Sequence, residues 1–263
     1  MHFRMLLQSN ALAGLRGLAP LLAGSLALAA CGADHDTDCL KSNGPVTTER
    51  RAVDRRLRTV TVYNNVDLTI VPDTATYAEV RAGEHMLPYI EFSTPSGSDQ
   101  LVIKNTSRCN WVRSYDTPRE VRLHVANPHR RFYINQYGYG LITTENQWAQ
   151  DTLYLLSAST GDINLNVRSN YLLFDSYDAG DIILRGSAEE FHPNCFNTGF
   201  LFASDLDAHY CYFSTFREWR GDMHVRSHGN LGGTLMGTGR LFYTGNPSYI
   251  DVKGPNVNNI FKE

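Results

Sequence analysis

Catalytic signatures are missing from this chain. It has no GxSxG nucleophile turn, no HExxH metal motif and no GxxxxGK[ST] phosphate loop. The short runs GYG (138–140) and GTG (237–239) lack the strand–helix context of a nucleotide site and read as turn glycines. No two of the five cysteines form a CxxC pair, which argues against structural zinc. Long helical periodicity is absent after residue 40, which excludes a helical bundle. Charge is sparse too: 24 Lys and Arg stand against 27 Asp and Glu, a mildly acidic balance that suits nucleic acid poorly. The apolar run at residues 17–30 is shorter than the roughly 20 residues a membrane-spanning helix needs.

That short run has another reading. Residues 1–16 carry Arg4 and Arg16 and no acid, and GLAPLLAGSLALAA (17–30) follows, ending in small residues. A charged start, a short apolar core and a small-residue exit predict a cleaved export signal over residues 1–30. Leu28-Ala29-Ala30-Cys31 resembles the bacterial lipobox, in which the cysteine becomes the lipidated first residue of the mature chain. Residues 31–38 then form an acidic, flexible tether with little to bury, and a single domain is expected over 39–263. Removing the leader, which holds two of the cations and no acid, leaves a formal charge of −5.

With Cys31 set aside, Cys39, Cys109, Cys195 and Cys211 are an even set in an exported chain, which favours disulfides. Four cysteines allow three pairings. Cys195 and Cys211 lie 16 residues apart in similar segments, so they are expected to pair, leaving Cys39 for Cys109.

Short alternating runs fill the rest. TVTV (59–62), VDLTIV (66–71), LVIKN (101–105) and VRLHV (121–125) place apolar residues at every second position, between turn-like separators. From residue 140 a repeat emerges. Gly140, Gly161, Gly180, Gly199, Gly221 and Gly239 are 21, 19, 19, 22 and 18 residues apart. Two residues after each stands an apolar side chain: Ile142, Ile163, Ile182, Leu201, Met223, Leu241. A period of about 18–22 residues predicts an all-β chain wound as a right-handed parallel β-helix, or β-solenoid, with each rung turning at a glycine where positive φ is cheap. Segments such as TLYLLS (152–157), YLLFDS (171–176), HYCYFS (209–214) and YIDV (249–252) supply a second strand per rung. The alternative is a β-sandwich.

The stretches DCLKSNGPVTTERRAV, VTVYNNVDLTIVP, VRAGEHMLPYI, LVIKNTSRCNWVRSY and GRLFYTGNPSYIDVKG resemble the head GIN domain of auto-transporter adhesins, exported proteins common in Bacteroidota. The resemblance spans roughly residues 38–254. It implies a right-handed β-helical fold, no established enzyme activity and no catalytic residues to carry over. The chain departs from the regular members where small rung residues give way to aromatics, as in HYCYFSTFREW (209–219).

The candidate chemistry is correspondingly modest. Asp162, Asp181 and Asp222 each follow a rung glycine, and stacked rungs would bring the first two to about 5 Å, a spacing that retaining glycosidases use. Turn capping is the simpler role. His224 and His228 share a strand face at about 13 Å, too far for one metal, and no metal or cofactor is expected. Trp111, Arg113 and Tyr115, after Cys109, read as packing on a bridge. Aromatics are the stronger clue. Tyr137, Tyr139, Trp148, Tyr210, Tyr212 and Trp219 are the candidate ligand contacts, since strand alternation sends part of so large an aromatic set outward, to stack on sugars or anchor a protein. The expected function is therefore an outer-membrane lipoprotein, exposed at the cell surface and acting as a non-catalytic adhesion or binding module for a glycan or a protein. The alternatives are a structural envelope scaffold or, less favoured, a polysaccharide-active β-helix enzyme.

Overall fold

Alternating sequence builds strands here and almost nothing else. The computed structural model describes residues 42–108, 116–126 and 131–263. Cys31, Cys39, Cys109, Trp111, Arg113 and Tyr115 lie outside these residues, as do the leader and tether. The first nine strands are β1 (Val46–Ala52), β2 (Thr59–Asn64), β3 (Asp67–Asp73), β4 (Tyr77–Gly83), β5 (Ile90–Ser93), β6 (Gln100–Asn105), β7 (Arg119–Ala126), β8 (Arg131–Gly138) and β9 (Ile142–Thr144). Then come β10 (Trp148–Ser157), β11 (Ile163–Ser176), β12 (Ile182–Cys195), β13 (Leu201–Thr215), β14 (Asp222–Leu235), β15 (Arg240–Thr244), β16 (Tyr249–Lys253) and β17 (Ile260–Lys262). A 3-10 turn at Leu87–Tyr89 is the one helical segment among the described residues.

The strands stack as a β-solenoid of about seven turns. One face reads β6–β2–β8–β10–β11–β12–β13–β14–β16, with every pair parallel. The other reads β7–β3–β9–β11–β12–β13–β14–β15–β17, again parallel. β11 to β14 serve both faces. Each is a single strand of 14 or 15 residues that bends at a corner, where two separate strands were expected. Corner serines stabilise the bend: the Ser169 hydroxyl is shared by the Tyr171 and Asp151 carbonyls, and that of Ser227 by the Asn230 and His209 carbonyls. This parallel stacking rules out the β-sandwich.

The expected register holds. Ile142, Ile163, Ile182, Leu201, Met223 and Leu241 are successive partners in one inward column. The column extends upward through Leu68 and Val121 and downward to Ile260, and all but the last are fully buried. Each unit covers its neighbour's apolar face, so no rung has a core of its own.

The rung glycines are required for a reason other than the expected one. Gly161, Gly180, Gly199, Gly221 and Gly239 have no positive φ. They are needed for lack of a side chain: a Cβ on Gly180 would fall 2.1 Å from the Gly161 carbonyl oxygen, and one on Gly221 or Gly239 would fall 2.2 Å from the carbonyl of the preceding rung glycine. The corner is a column of backbones stacked too closely for a methyl group.

The N-terminal half is stacked out of sequence. The β2–β3 rung sits between β6–β7 and β8–β9, so the chain makes an inner rung, then the end rung, then returns. Antiparallel strands close that end: β4 on β7, β1 on β4, and β5 on β6. β1 is the outer edge on its face, and its exposed residues, Glu49 and Arg50 among them, present charges that discourage further strand pairing.

One disulfide expectation is corrected. Cys195 and Cys211 are both free and buried. Cys211 lies opposite Phe191, and Cys195 opposite Thr215. The two thus stand four residues apart along adjacent strands, about 13 Å, whereas a bridge needs Cα atoms about 4.4–6.8 Å apart. Similar segments placed them on neighbouring rungs, but out of register with each other. Burial pushes the Cys195 thiol up to about 12, with the Asp175 charge adding to it, and burial raises Cys211 as well. Both are inert packing groups.

Candidate binding surface

In-register parallel strands place outward side chains of successive rungs about 4.8 Å apart, which is the stacking distance of aromatic rings. The chain uses this on three sides. On the β10–β13 face, Tyr133 stacks on Tyr154 at 4.7 Å, Tyr154 meets Tyr171 at 6.1 Å, Tyr171 stacks on His192 at 4.7 Å, and His192 reaches Tyr212 at 5.4 Å. Tyr210 lies beside Tyr212 at 6.2 Å. The strip crosses β8, β10, β11, β12 and β13, roughly 19 Å along the axis. Burial within it, reinforced by Tyr154, Glu190 and Asp175, raises the Tyr171 hydroxyl above the ordinary tyrosine range.

The second ladder runs Phe202–His224–Phe242–Phe261, with spacings of 5.5, 4.7 and 5.3 Å. The third runs Tyr177–Phe196–Phe216, at 4.2 and 3.9 Å. Sequence reasoning missed most of these members. The signal was present one position beyond the inward column, where the repeat reads Phe202, His224 and Phe242.

The six candidate contacts separate into three groups. Tyr210 and Tyr212 belong to the strip. Tyr137 and Tyr139 lie at the end of β8, Tyr137 stacked on Tyr63 at 5.2 Å and Tyr139 62% exposed. Trp148 and Trp219 are core residues, 3% and 1% exposed, and cannot meet a ligand. Trp148 starts β10 in the inward phase and packs edge-on against Phe132 at 4.9 Å. Trp219 fills a corner beneath Gly239, whose hypothetical Cβ would fall 2.7 Å from its ring.

The carboxylates do not form an acid–base pair. An Asp162 oxygen accepts the Asp181 backbone N–H at 2.9 Å, as an Asp67 oxygen accepts that of Leu141 at 2.8 Å. Asp222 is held by Arg240 through contacts of 2.9 and 2.5 Å. They cap or pair the corner of one rung with the next. His209 and His228 stack at 4.9 Å, and each faces its own carboxylate: Glu189 at 3.3 Å and Asp207 at 3.4 Å respectively. His224 lies elsewhere, in the second ladder, 3.3 Å from Glu263. Among the described residues, no three side chains of metal-ligating type converge.

A tighter polar cluster pins the cap. His124 Nδ1 lies 2.7 Å from Asp73, its ring stacks on Tyr77 at 4.1 Å, and Arg50 covers the other ring at 3.7 Å. The Thr74 backbone N–H, then His124, hold the Asp73 carboxyl down at about 2. Desolvation, with the charges of Asp73 and Glu79, raises the Tyr77 hydroxyl. The cluster ties β4 to β7 and offers no nucleophile.

Solved structures share this fold. A crystal structure of a "putative adhesin" from Bacteroides fragilis superposes with a TM-score of 0.72 at 16% identity, covering 84% of this chain and 99% of that one. A "putative lipid binding protein" from Parabacteroides distasonis gives 0.60 at 17% identity, covering 85% and 100%. A "putative adhesin" from the same species gives 0.60 at 16%, covering 84% and 98%. No curated protein matches the chain. Residues 56–247 match the family described as "Putative auto-transporter adhesin, head GIN domain", and the chain belongs to that family.

Proposed function

We propose that this protein is a non-catalytic binding module of the cell envelope. Lipid on Cys31 anchors it to the outer membrane, residues 31–38 space it from the surface, and the solenoid presents a contact face outward. The observation that carries the reading is the Tyr133–Tyr212 strip. The core is complete without it, yet a run of five rungs directs aromatic side chains outward on one face. Because these rings stack on one another, the strip offers ring edges and hydroxyls, a surface suited to a protein or polymer laid along the axis. Family membership among adhesins supports the same reading. Capped carboxylates at the rung corners weigh against a β-helix hydrolase.

The test compares the lipidated chain with a Tyr154→Ser/Tyr171→Ser/Tyr212→Ser variant on arrays of glycans and surface proteins, following turnover on every hit. Loss of binding in a variant that still melts cooperatively supports the strip as the contact. Equal binding by the variant overturns it, and reproducible product release overturns the non-catalytic assignment. Mass spectrometry of the membrane form tests the anchor: an unacylated N-terminus away from Cys31 removes it.

A further inference from the structure

Ring faces within the ladders are spent on each other, and a sugar ring needs a free one. Tyr139 has it. The residue follows β8, is 62% exposed, and has no ring or cation stacked on it among the described residues. It stands on the wall of an open crevice of about 400 Å³, whose charged lining is Asp67, Arg81, Asp116, Arg119 and Glu120, with Asn65 beside them. That volume lies at the small end of the roughly 300–1,000 Å³ range of ligand sites, the scale of one or two sugar rings.

The chemistry of the lining is specific. Asp67 uses one carboxylate oxygen on the Leu141 N–H at 2.8 Å, leaving the other without a hydrogen-bond partner among the described residues. Asn65 accepts from Asn105 at 2.6 Å through its oxygen, which leaves its amide N–H groups to donate. Among the described residues, Arg81 pairs with Glu120 through one guanidinium nitrogen only, at 2.9 and 3.2 Å, which leaves further N–H groups of its planar fork to donate. Planar donors and acceptors therefore sit together, with near-balanced charge, beside an aromatic face. A phosphate would meet three carboxylates, Asp67, Asp116 and Glu120, against two guanidinium groups, of which Arg81 is already paired with Glu120, and an acyl chain would meet a polar lining. A pyranose meets neither objection, because it presents an apolar C–H face on one side and vicinal hydroxyls that both donate and accept.

We infer that this crevice is a saccharide subsite, taking a neutral pyranose whose C–H face packs on Tyr139 and whose hydroxyls pair with Asn65, Asp67 and Arg81. The inference rests on the binding-module reading and names a ligand class for it. It places that ligand at the junction of β2–β3 with β8–β9, away from the aromatic strip. The site is built where the out-of-sequence rung meets its neighbour. Asn65 comes from the β2–β3 turn and Asp67 from the start of β3, Tyr139 from the β8–β9 turn stacked beside them, and Arg81 and Glu120 from the β4–β7 pair.

The experiment titrates the full-length protein with methyl pyranosides of glucose, galactose, mannose and N-acetylglucosamine, using saturation-transfer NMR and calorimetry. At least one is expected to bind with a Kd of about 1 mM, the scale of a small ligand with few contacts. Tyr139→Ala and Asp67→Asn should each weaken it about tenfold or more, the asparagine still capping Leu141 so that the fold survives. Tyr139→Trp should keep or tighten binding. Tyr249→Ala is the control: that ring is 60% exposed but lies outside the crevice. Binding that survives Tyr139→Ala, binding lost equally in Tyr249→Ala, or no binding by any of the four pyranosides overturns the subsite. These outcomes leave the wider reading separately testable, since the strip variant described above keeps Tyr139. Array binding that depends on the strip and not on Tyr139 would remove this subsite alone.

Discussion

The two halves of the solenoid obey different rules. From Gly140 onward, chain order is stacking order: each rung lies on the one before it, with register kept by one inward apolar column and one backbone-only corner. Before Gly138 the rungs are interleaved, and the end is closed by antiparallel strands. The regular half needs only its neighbours, so its information is local and periodic. The capped half must terminate a stack that would otherwise expose an unpaired edge, and termination takes non-repeating solutions: a charged edge strand, reversed strands and the Asp73–His124–Tyr77 cluster.

Substituting a stacked rung glycine, against a loop glycine of the capped half, should give the largest contrast. Gly180→Ala forces a methyl group onto the Gly161 carbonyl, and thermal or denaturant melting should show a loss of about 3 kcal/mol or more. Gly97→Ala in the N-terminal half meets open space, and its φ of +73° limits the cost to about 1–2 kcal/mol. Equal losses would deny that backbone crowding, which Gly83 and Gly138 of the capped half share, sets the cost at stacked glycines.

Next in size is the buried thiol of the regular half. Cys211→Ser puts a hydroxyl where burial already raises the thiol, and should cost about 1–3 kcal/mol in denaturant melts. In the native chain, Cys195 and Cys211 should resist thiol reagents until unfolding. A Cys195–Cys211 bridge in a peptide map would contradict the register.

Acid should act first on the capped half. The Asp73 carboxyl is held down at about 2, against about 3.9 for an unfolded aspartate. A depressed folded value stabilises at pH above about 3.9, and the contribution disappears as pH falls through about 2. Hydrogen-exchange protection factors, referred to the intrinsic rate at each pH, should therefore fall at β4 and β7 in acid before they fall at β11 to β13. Asp73→Asn should remove most of the difference between pH 5 and pH 2. A uniform fall in protection across both halves would refute the assignment.

Smallest of all is the ladder. Tyr154→Leu in the strip should cost about 0.5–1.5 kcal/mol, the worth of an aromatic pair beyond its burial. A markedly larger loss would make the strip structural and weaken its role as a contact surface.

Much of this was legible. The inward column from Ile142 to Leu241 was visible because an apolar side chain two residues after a glycine repeats with the rung. Trp148 and Trp219 were misplaced because abundance indicates that some aromatics face outward, not which ones; burial at a corner depends on neighbours 18–20 residues away. His192 joins the strip through a ring contact to Tyr171 that composition does not reveal.

By itself, then, the sequence determined the strand class, the period, the inward face and family membership, because alternation and a fixed repeat are local properties of the chain. Tertiary structure alone decided which rung lies on which in the N-terminal half. It decided that the rung glycines are needed for closeness rather than positive φ, and that Cys195 and Cys211 stay apart. It also brought Tyr139 into one crevice with Asn65, Asp67 and Arg81. The physical reason is common to all four: each depends on what sits about 4.8 Å above or below a residue, and that neighbour is chosen by stacking.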